Sequence, residues 1–446
     1  LDELMRCYAN KTTLLDLDTR REEALAAVKE GIAEAKRNGL GLTYGAFLRG
    51  NAADILFQLG RWEESEAECR AALEFPPAGV AWFSPILYLG LVLVESRADE
   101  EAERLVGQTL LQLETVPAGQ WSALVLKTAV SFALWRGEIE DARAAAEQGW
   151  QRVVESEDAI QMAVSAATVL EACAASAEKA RAKRDFSKVA DAGALATRVL
   201  KSAEDALAAY QLPKTVGARR EAELYLATAR AHAERVRGRS KPETWASIAE
   251  AWAQIPVPYN VAKARWWQTE ALLPNRSRRA EARKALTEAW KIAGKLPAAP
   301  LRRALLELGE RGRIRLQADQ LVPVPMGEAR ELVAVGPGPA PTAAAKDGLA
   351  AFISGGDGKR ATPPAMSRFG LSPRENSVLA VLTEGRTNRE IAERLFISDR
   401  TVAVHVRRIL SKLGVSGRVE ATGLAIRLGL VPDDPRVTSG ARSHRR

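Results

Sequence analysis

The sequence predicts an all-α protein: a tetratricopeptide-like helical-repeat array, a flexible linker and a C-terminal four-helix domain. Three observations predict it. The chain is rich in Ala, Leu, Glu and Arg with few strand-like runs. Small and bulky apolar residues recur in paired helical segments along its first 320 residues. Residues 371–430 carry four short helical patterns, each opened and closed by strong local punctuation.

Residues 46–77 fit one tetratricopeptide-like unit, with Ala53, Leu56, Gly60, Trp62, Ala72 and Pro77 at small, bulky and turn positions. Gly90, Leu93 and Ala102 match at 83–114, and Ala133, Gly137, Ile139 and Ala142 at 123–154. The units recur near every ~40 residues, longer than the tetratricopeptide period of about 34, so they are degenerate helical hairpins. Further pairs are 219–237 with 243–255, and 261–273 with 279–296, where Ala280 and Ala285 take close-packing positions. One hairpin cannot bury its own apolar face, so the pairs must stack, giving a curved array with a concave surface over residues 1–320.

The most apolar run, 78–94, is shorter than the roughly 20 residues of a spanning helix and contains Pro85 and Gly90. It is expected to be a buried repeat helix, with no membrane partner. All ten Trp precede residue 291. One reading is an aromatic ligand pocket near Trp266 and Trp267. The preferred one is repeat core, since Trp62 sits at a packing position.

A linker is expected over 321–366, where 336–364 is dense in Gly, Pro and Ala with little to bury. Gly358 and Lys359 do not make a phosphate-binding loop there. Ile353 stands where the first Gly is needed, and Arg360 replaces Ser/Thr.

The C-terminal domain is expected over 367–432. Ser372, Pro373 and Glu375 form a capping box with Pro at the first helical position. Val378, Leu379 and Leu382 form the buried stripe, and Gly385 stops the helix. Thr387 and Glu390 repeat the box for a second helix, with Ile391, Ala392 and Leu395 facing inward. Phe396, Ile397 and Ser398 make the turn, Ser398 capping the third helix. There Val402, Val406, Ile409 and Leu413 share one buried face. Arg400, Ala403, Val404, Arg407, Arg408 and Ser411 share the opposite one, and Gly414 ends the helix. Gly417 and Glu420 open a fourth helix, with Leu424, Ala425 and Leu428 inside.

This outward face suits nucleic acid. Arg400, Arg407, Arg408 and Lys412 can reach phosphates or guanine edges. Val404 is apolar on a solvated face, and a thymine methyl would match it. The helix starts at Asn388, with Arg389 beside it, and at Asp399 offer backbone N–H groups to phosphates. Ten basic residues oppose six acids over 370–431, and the tail adds four against two, so six of the chain's eight net positive charges lie in its last sixth. The tail, 433–446, is read as basic and disordered.

The segment resembles the LuxR-type helix-turn-helix domain of bacterial transcription regulators. The resemblance rests on LSPRE at 371–375, TNREIAERLFIS at 387–398, TV at 401–402, HV at 405–406, IL at 409–410, KLGV at 412–415 and RVEA at 418–421. It implies that the second and third helices dock on double-stranded DNA. Val404 and Arg407 then take base-contacting positions, and Thr387, Thr401, Arg408 and Lys412 contact the backbone. It also implies pairing of two domains through the fourth helix. Ala403 departs from a position often polar or basic, and Gly423 weakens the fourth helix by up to about 1 kcal/mol.

Catalysis finds no support. No His pairs with a Cys or carboxylate cluster at ligand spacing, and His405 flanks the core-facing stripe as a structural residue. Neither a catalytic nor a metal-binding residue is expected. Cys7, Cys69 and Cys173 are scattered, which fits a reduced cytoplasmic setting. The chain opens on Leu1 inside a helical pattern, so it is expected to be the carboxy-terminal part of something longer. Repeats followed by such a domain are similar to the large ATP-binding regulators of the family. No cofactor is assigned to these residues, and ATP would belong only to a missing upstream module.

These readings converge on a cytoplasmic bacterial transcription regulator. A small-molecule or protein effector on the repeats would change how two C-terminal domains meet paired half-sites. The alternative is a protein-binding scaffold with weak or vestigial DNA binding.

Overall fold

Why the described residues are so largely helical is visible at the helix ends. In the computed structural model, which describes residues 2–74, 80–113, 121–210, 216–316, 373–395, 399–413, 415, 417–418 and 421–422, there are eighteen α-helices and no strand among those residues. They fall into two compact units, one within 2–316 and one within 373–422.

In the first unit α1 (Asp2–Leu17) pairs with α2 (Arg21–Arg37), and a short π-helical turn at Gly41–Gly45 leads into α3 (Ala46–Gln58) and α4 (Trp62–Leu73). Next come α5 (Val80–Ser96) and α6 (Glu100–Leu113), then α7 (Ser122–Arg136) and α8 (Ile139–Glu155). The long pair α9 (Ala159–Ala182) and α10 (Phe186–Ala209) follows, then α11 (Val216–Val236), α12 (Pro242–Trp252), α13 (Pro258–Leu272), α14 (Arg279–Ala293) and α15 (Ala299–Arg311). Asp158 caps α9, accepting from the N–H groups of Ile160 and Gln161 at 2.9 and 3.0 Å, and Asp185 caps α10. Pro242 and Pro258 open α12 and α13, where a missing N–H costs nothing.

Each predicted pair is present as two helices: α3 with α4, α5 with α6, α7 with α8, α11 with α12, and α13 with α14. The apolar run forms α5 with Pro85 inside it. Helices α9 and α10 have no counterpart among the predicted pairs. By length and composition α9 could cross a membrane, yet 67% of its apolar window is buried inside the protein, as a core helix's would be. The expected linker, Ser372, residues 396–398, Gly414, most of the fourth C-terminal helix and the tail lie outside the described residues.

The packing departs from a string of nearest neighbours. Helices α13–α15 pack back onto the early hairpins. Phe57, Trp62, Leu91 and Val92 share one core with Tyr259, Ala262, Leu286 and Leu305. Trp62 is 1% exposed and stacks on Phe57 at 5.0 Å. Its indole N–H donates to the Phe57 carbonyl at 2.8 Å, and it meets the edge of Tyr259 at 5.0 Å.

A second long-range contact ties α1 and α2 to α11. A Cβ on Gly217 would lie 2.5 Å from the carbonyl carbon of Asp18, so only glycine fits that approach. Beside it Arg21, 2% exposed, donates to both Glu221 oxygens at 2.7 and 2.8 Å, to Gln58 Oε1, and faces Asp16 at 3.5 Å. Asp54 joins through Gln58. One guanidinium thus serves three carboxylates. Burial, then the charge of Asp54, raises Asp16 from 3.8 to about 7, and burial raises Asp54 and Glu221 as well.

An acid whose folded pKa exceeds its unfolded one holds its proton more tightly when folded. Asp16 therefore removes stability as pH climbs from about 4 to about 7. Thermal melts should show a drop for the parent between pH 5 and pH 8, and a smaller drop for Asp16→Asn. Equal drops would exclude this origin.

Candidate nucleic-acid interface

The second unit holds α16 (Pro373–Thr383), α17 (Asn388–Leu395) and α18 (Asp399–Leu413). Its core is the one the periodicity names: Val378, Leu379, Leu382, Ile391, Val402 and Ile409 are buried, with Val381, Ala392 and Ala421 beside them. Leu395 and Val406 pack against that core. Gly385 lies at φ +79°, and its N–H donates to the Leu382 carbonyl, closing α16 in a conformation that favours glycine. The Thr387 box is made in full. Glu390 Oε2 accepts from the Thr387 N–H at 2.7 Å and from its hydroxyl at 2.9 Å, and the Glu390 N–H donates to Thr387 Oγ1 at 3.3 Å. These bonds hold the Glu390 carboxyl below its ordinary range. Of the expected fourth helix residues 417, 418, 421 and 422 are described, the Ala421 N–H donating to the Gly417 carbonyl at 3.0 Å.

Opposite the core, α18 presents Thr401, Ala403, Val404, Arg407, Arg408 and Lys412, all exposed. Val404, at 41%, is a large apolar side chain left in water. Arg407 lies one turn further along the same face, with no ion pair or hydrogen bond among the described residues. On α17 Arg389 pairs with Glu393 at 3.3 Å, and Arg386 with Glu390 at 3.3 Å. The Arg400 backbone belongs to α18, and its side chain lies outside the described residues. His405 is 4% exposed, within the core.

Lys412 has a second occupation. Its ammonium is 38% exposed and donates to Glu375 Oε2 at 2.6 Å, and that carboxylate is 0% exposed. The pair joins α16 to the end of α18. The sequence reading gave Glu375 to the first capping box. Yet Glu375, Val378, Leu379 and Leu382 fall at i, i+3, i+4 and i+7, which already places the acid on the core face.

Among the described residues no group of three His, Cys, Asp or Glu could hold a metal ion. Cys69 and Cys173 are buried, and burial raises both thiols, Cys173 to about 12.

The family model for bacterial regulatory proteins of the luxR family matches residues 370–425. The spore germination protein GerE of Bacillus subtilis is 42% identical over 59 residues, 13% of this chain and 80% of GerE. The transcriptional regulatory protein LiaR of the same organism is 46% identical over 67 residues, 15% of this chain and 32% of LiaR. An HTH-type transcriptional regulator of Mycobacterium bovis is 39% identical over 83 residues, 19% of this chain. That stretch spans only 9% of the mycobacterial protein's length. No solved structure matches the chain.

Proposed function

Because the chain belongs to the luxR family of bacterial regulatory proteins, we propose that it is a cytoplasmic, sequence-specific transcription regulator that lays α18 in the major groove of double-stranded DNA. The pairing of exposed Val404 with uncommitted Arg407, one turn apart, carries this reading. Arg407 reads a guanine edge and Val404 a thymine methyl. Thr387, Asn388, Arg389, Arg400, Thr401 and Arg408 hold the phosphates on either side. Lys412 keeps two N–H donors beyond its bond to Glu375 and can add a phosphate contact. The helix pairs of the first unit act as tetratricopeptide-like repeats that receive an effector or partner, and two chains meet on paired half-sites.

The test is selection of bound duplexes from a random pool, then titration of the winner against scrambled DNA near physiological salt. A paired motif bound about a thousandfold tighter supports the reading. Sequence-blind, salt-sensitive binding would favour the scaffold reading instead. On the selected site Arg407→Ala should cost about 1–3 kcal/mol and relax the preference at one base pair. Val404→Ala should weaken a thymine preference. Equal losses on selected and random DNA would contradict these roles.

A further inference from the structure

The first unit encloses a cavity between α5, α7, α9, α11, α12 and α13. Its walls are largely apolar: Trp245, Ile248, Trp252, Val164, Ala167 and Tyr225. The polar groups at its edge are unevenly satisfied.

The acids are already committed. Glu95, 1% exposed, accepts from Ser131 Oγ at 2.9 Å, from Trp135 Nε1 at 2.9 Å and from the Tyr259 hydroxyl. Glu171 is paired with Lys263 at 2.7 Å. The donors are not. Trp267 is 8% exposed, and its buried indole N–H has no hydrogen-bond partner among the described residues. Lys127 lines the same cavity with no ion pair or hydrogen bond among the described residues, its ammonium 5.2 Å from the centre of the Phe57 ring. His232 Nδ1 lies 2.9 Å from Arg235 Nη1. A guanidinium only donates, so Nδ1 accepts and the neutral ring keeps its proton on Nε2. Burial and the Arg235 charge hold the imidazole well below its ordinary pKa, which keeps the ring neutral. Burial lowers Lys127 too, against the charges of Glu95, Asp54 and Glu171, none of them within ion-pair distance, so an anion in direct contact would favour its charged form further.

A cavity with apolar walls, two donors without a partner among the described residues and acids that are already hydrogen-bonded selects its ligand by polarity, favouring an acceptor. The cavity volume is about 60 Å³, well under the ~150 Å³ of a cavity that holds a benzene ring, so the ligand is only a few heavy atoms in size. We propose that this cavity binds a small monocarboxylate with a short aliphatic body, its carboxylate received by Lys127 and the Trp267 indole N–H. The ligand's regulatory role rests on the sensor reading above, whereas its binding does not.

The test is ligand-observed NMR titration of the full chain with acetate and propionate, against their neutral amides. At this ligand size the acids should bind with a Kd of about 0.1–1 mM. The amides should bind at least about tenfold more weakly. Lys127→Met should erase the preference for acid over amide. Trp267→Phe, which keeps the ring and removes the N–H, should weaken the acids about three- to tenfold. The acid–amide comparison on the parent chain stands even where a variant fails to fold.

Equal affinity for acid and amide, or no saturable binding of either acid, overturns the proposal. So does a folded Lys127→Met that still prefers acids. DNA titration with and without the acids separates the two readings. Acid binding that leaves DNA affinity unchanged upholds the site and removes its sensing role.

Discussion

Replacing Lys412 by alanine is expected to destabilise the C-terminal unit by about 2–4 kcal/mol, well beyond the cost of one lost phosphate contact. The reason is asymmetric burial. Glu375 is 0% exposed and accepts from Lys412 at 2.6 Å, whereas Lys412 is 38% exposed. Losing the lysine takes the Lys412 charge away from a carboxylate that water does not reach. Losing the acid instead leaves an ammonium that water can reach, so Glu375→Ala should cost less. The double variant Glu375→Gln with Lys412→Met removes both charges and should recover most of the loss. Amide exchange along α16 and α18 during denaturant titration would measure all three. Unchanged protection in Lys412→Ala would defeat the argument. The double variant also isolates the DNA contribution: folded but without the ammonium, it should bind all sequences somewhat more weakly, with a salt slope smaller by about one.

Trp62→Ala is expected to cost the first unit about 3–5 kcal/mol. The side chain is 1% exposed, stacks on Phe57 and meets Tyr259 edge-on. Alanine would leave a cavity where the early hairpins meet α13–α15. The lost indole N–H also leaves the Phe57 carbonyl with its bond from the Gly60 N–H alone. Trp62→Phe should recover the stacking but not that bond. The informative readout is where protection is lost. Amides of α13 and α14 should exchange faster along with those of α3 and α4, and a loss confined to α3 and α4 would contradict the shared core.

What the sequence made legible was local. Gly385 marks the end of α16 because a left-handed residue is needed there. Thr387 and Glu390 announce their capping box three residues apart. Val402 and Ile409 declare their face by helical spacing, and Val404 and Arg407 the opposite one. Trp62 could be placed in repeat core from its position in the hairpin. What escaped was either uniform or distant. In α9 alanine recurs on every side, as at Ala159, Ala167, Ala172, Ala175 and Ala180, so no stripe stands out. Glu375 and Lys412 lie 37 residues apart, and no spacing rule links them. Trp266 and Trp267 suggested either core or pocket. The fold puts them at both, stacked 4.0 Å apart with Trp267 on the wall of the cavity. That a buried indole N–H would be left without a partner is not written in any periodicity.

The bond from Arg21 to Glu221 spans 200 residues. A ribosome adding about 5–20 residues per second needs roughly 10–40 s to deliver the second partner after the first. Over that interval Arg21 lacks Glu221 and Gly217 has not reached Asp18, and the Trp62 face waits almost as long for Tyr259. The nascent N-terminal hairpins thus leave the exit tunnel with apolar surface uncovered and charges unmatched, and their completion is timed by synthesis rather than by their own folding rate.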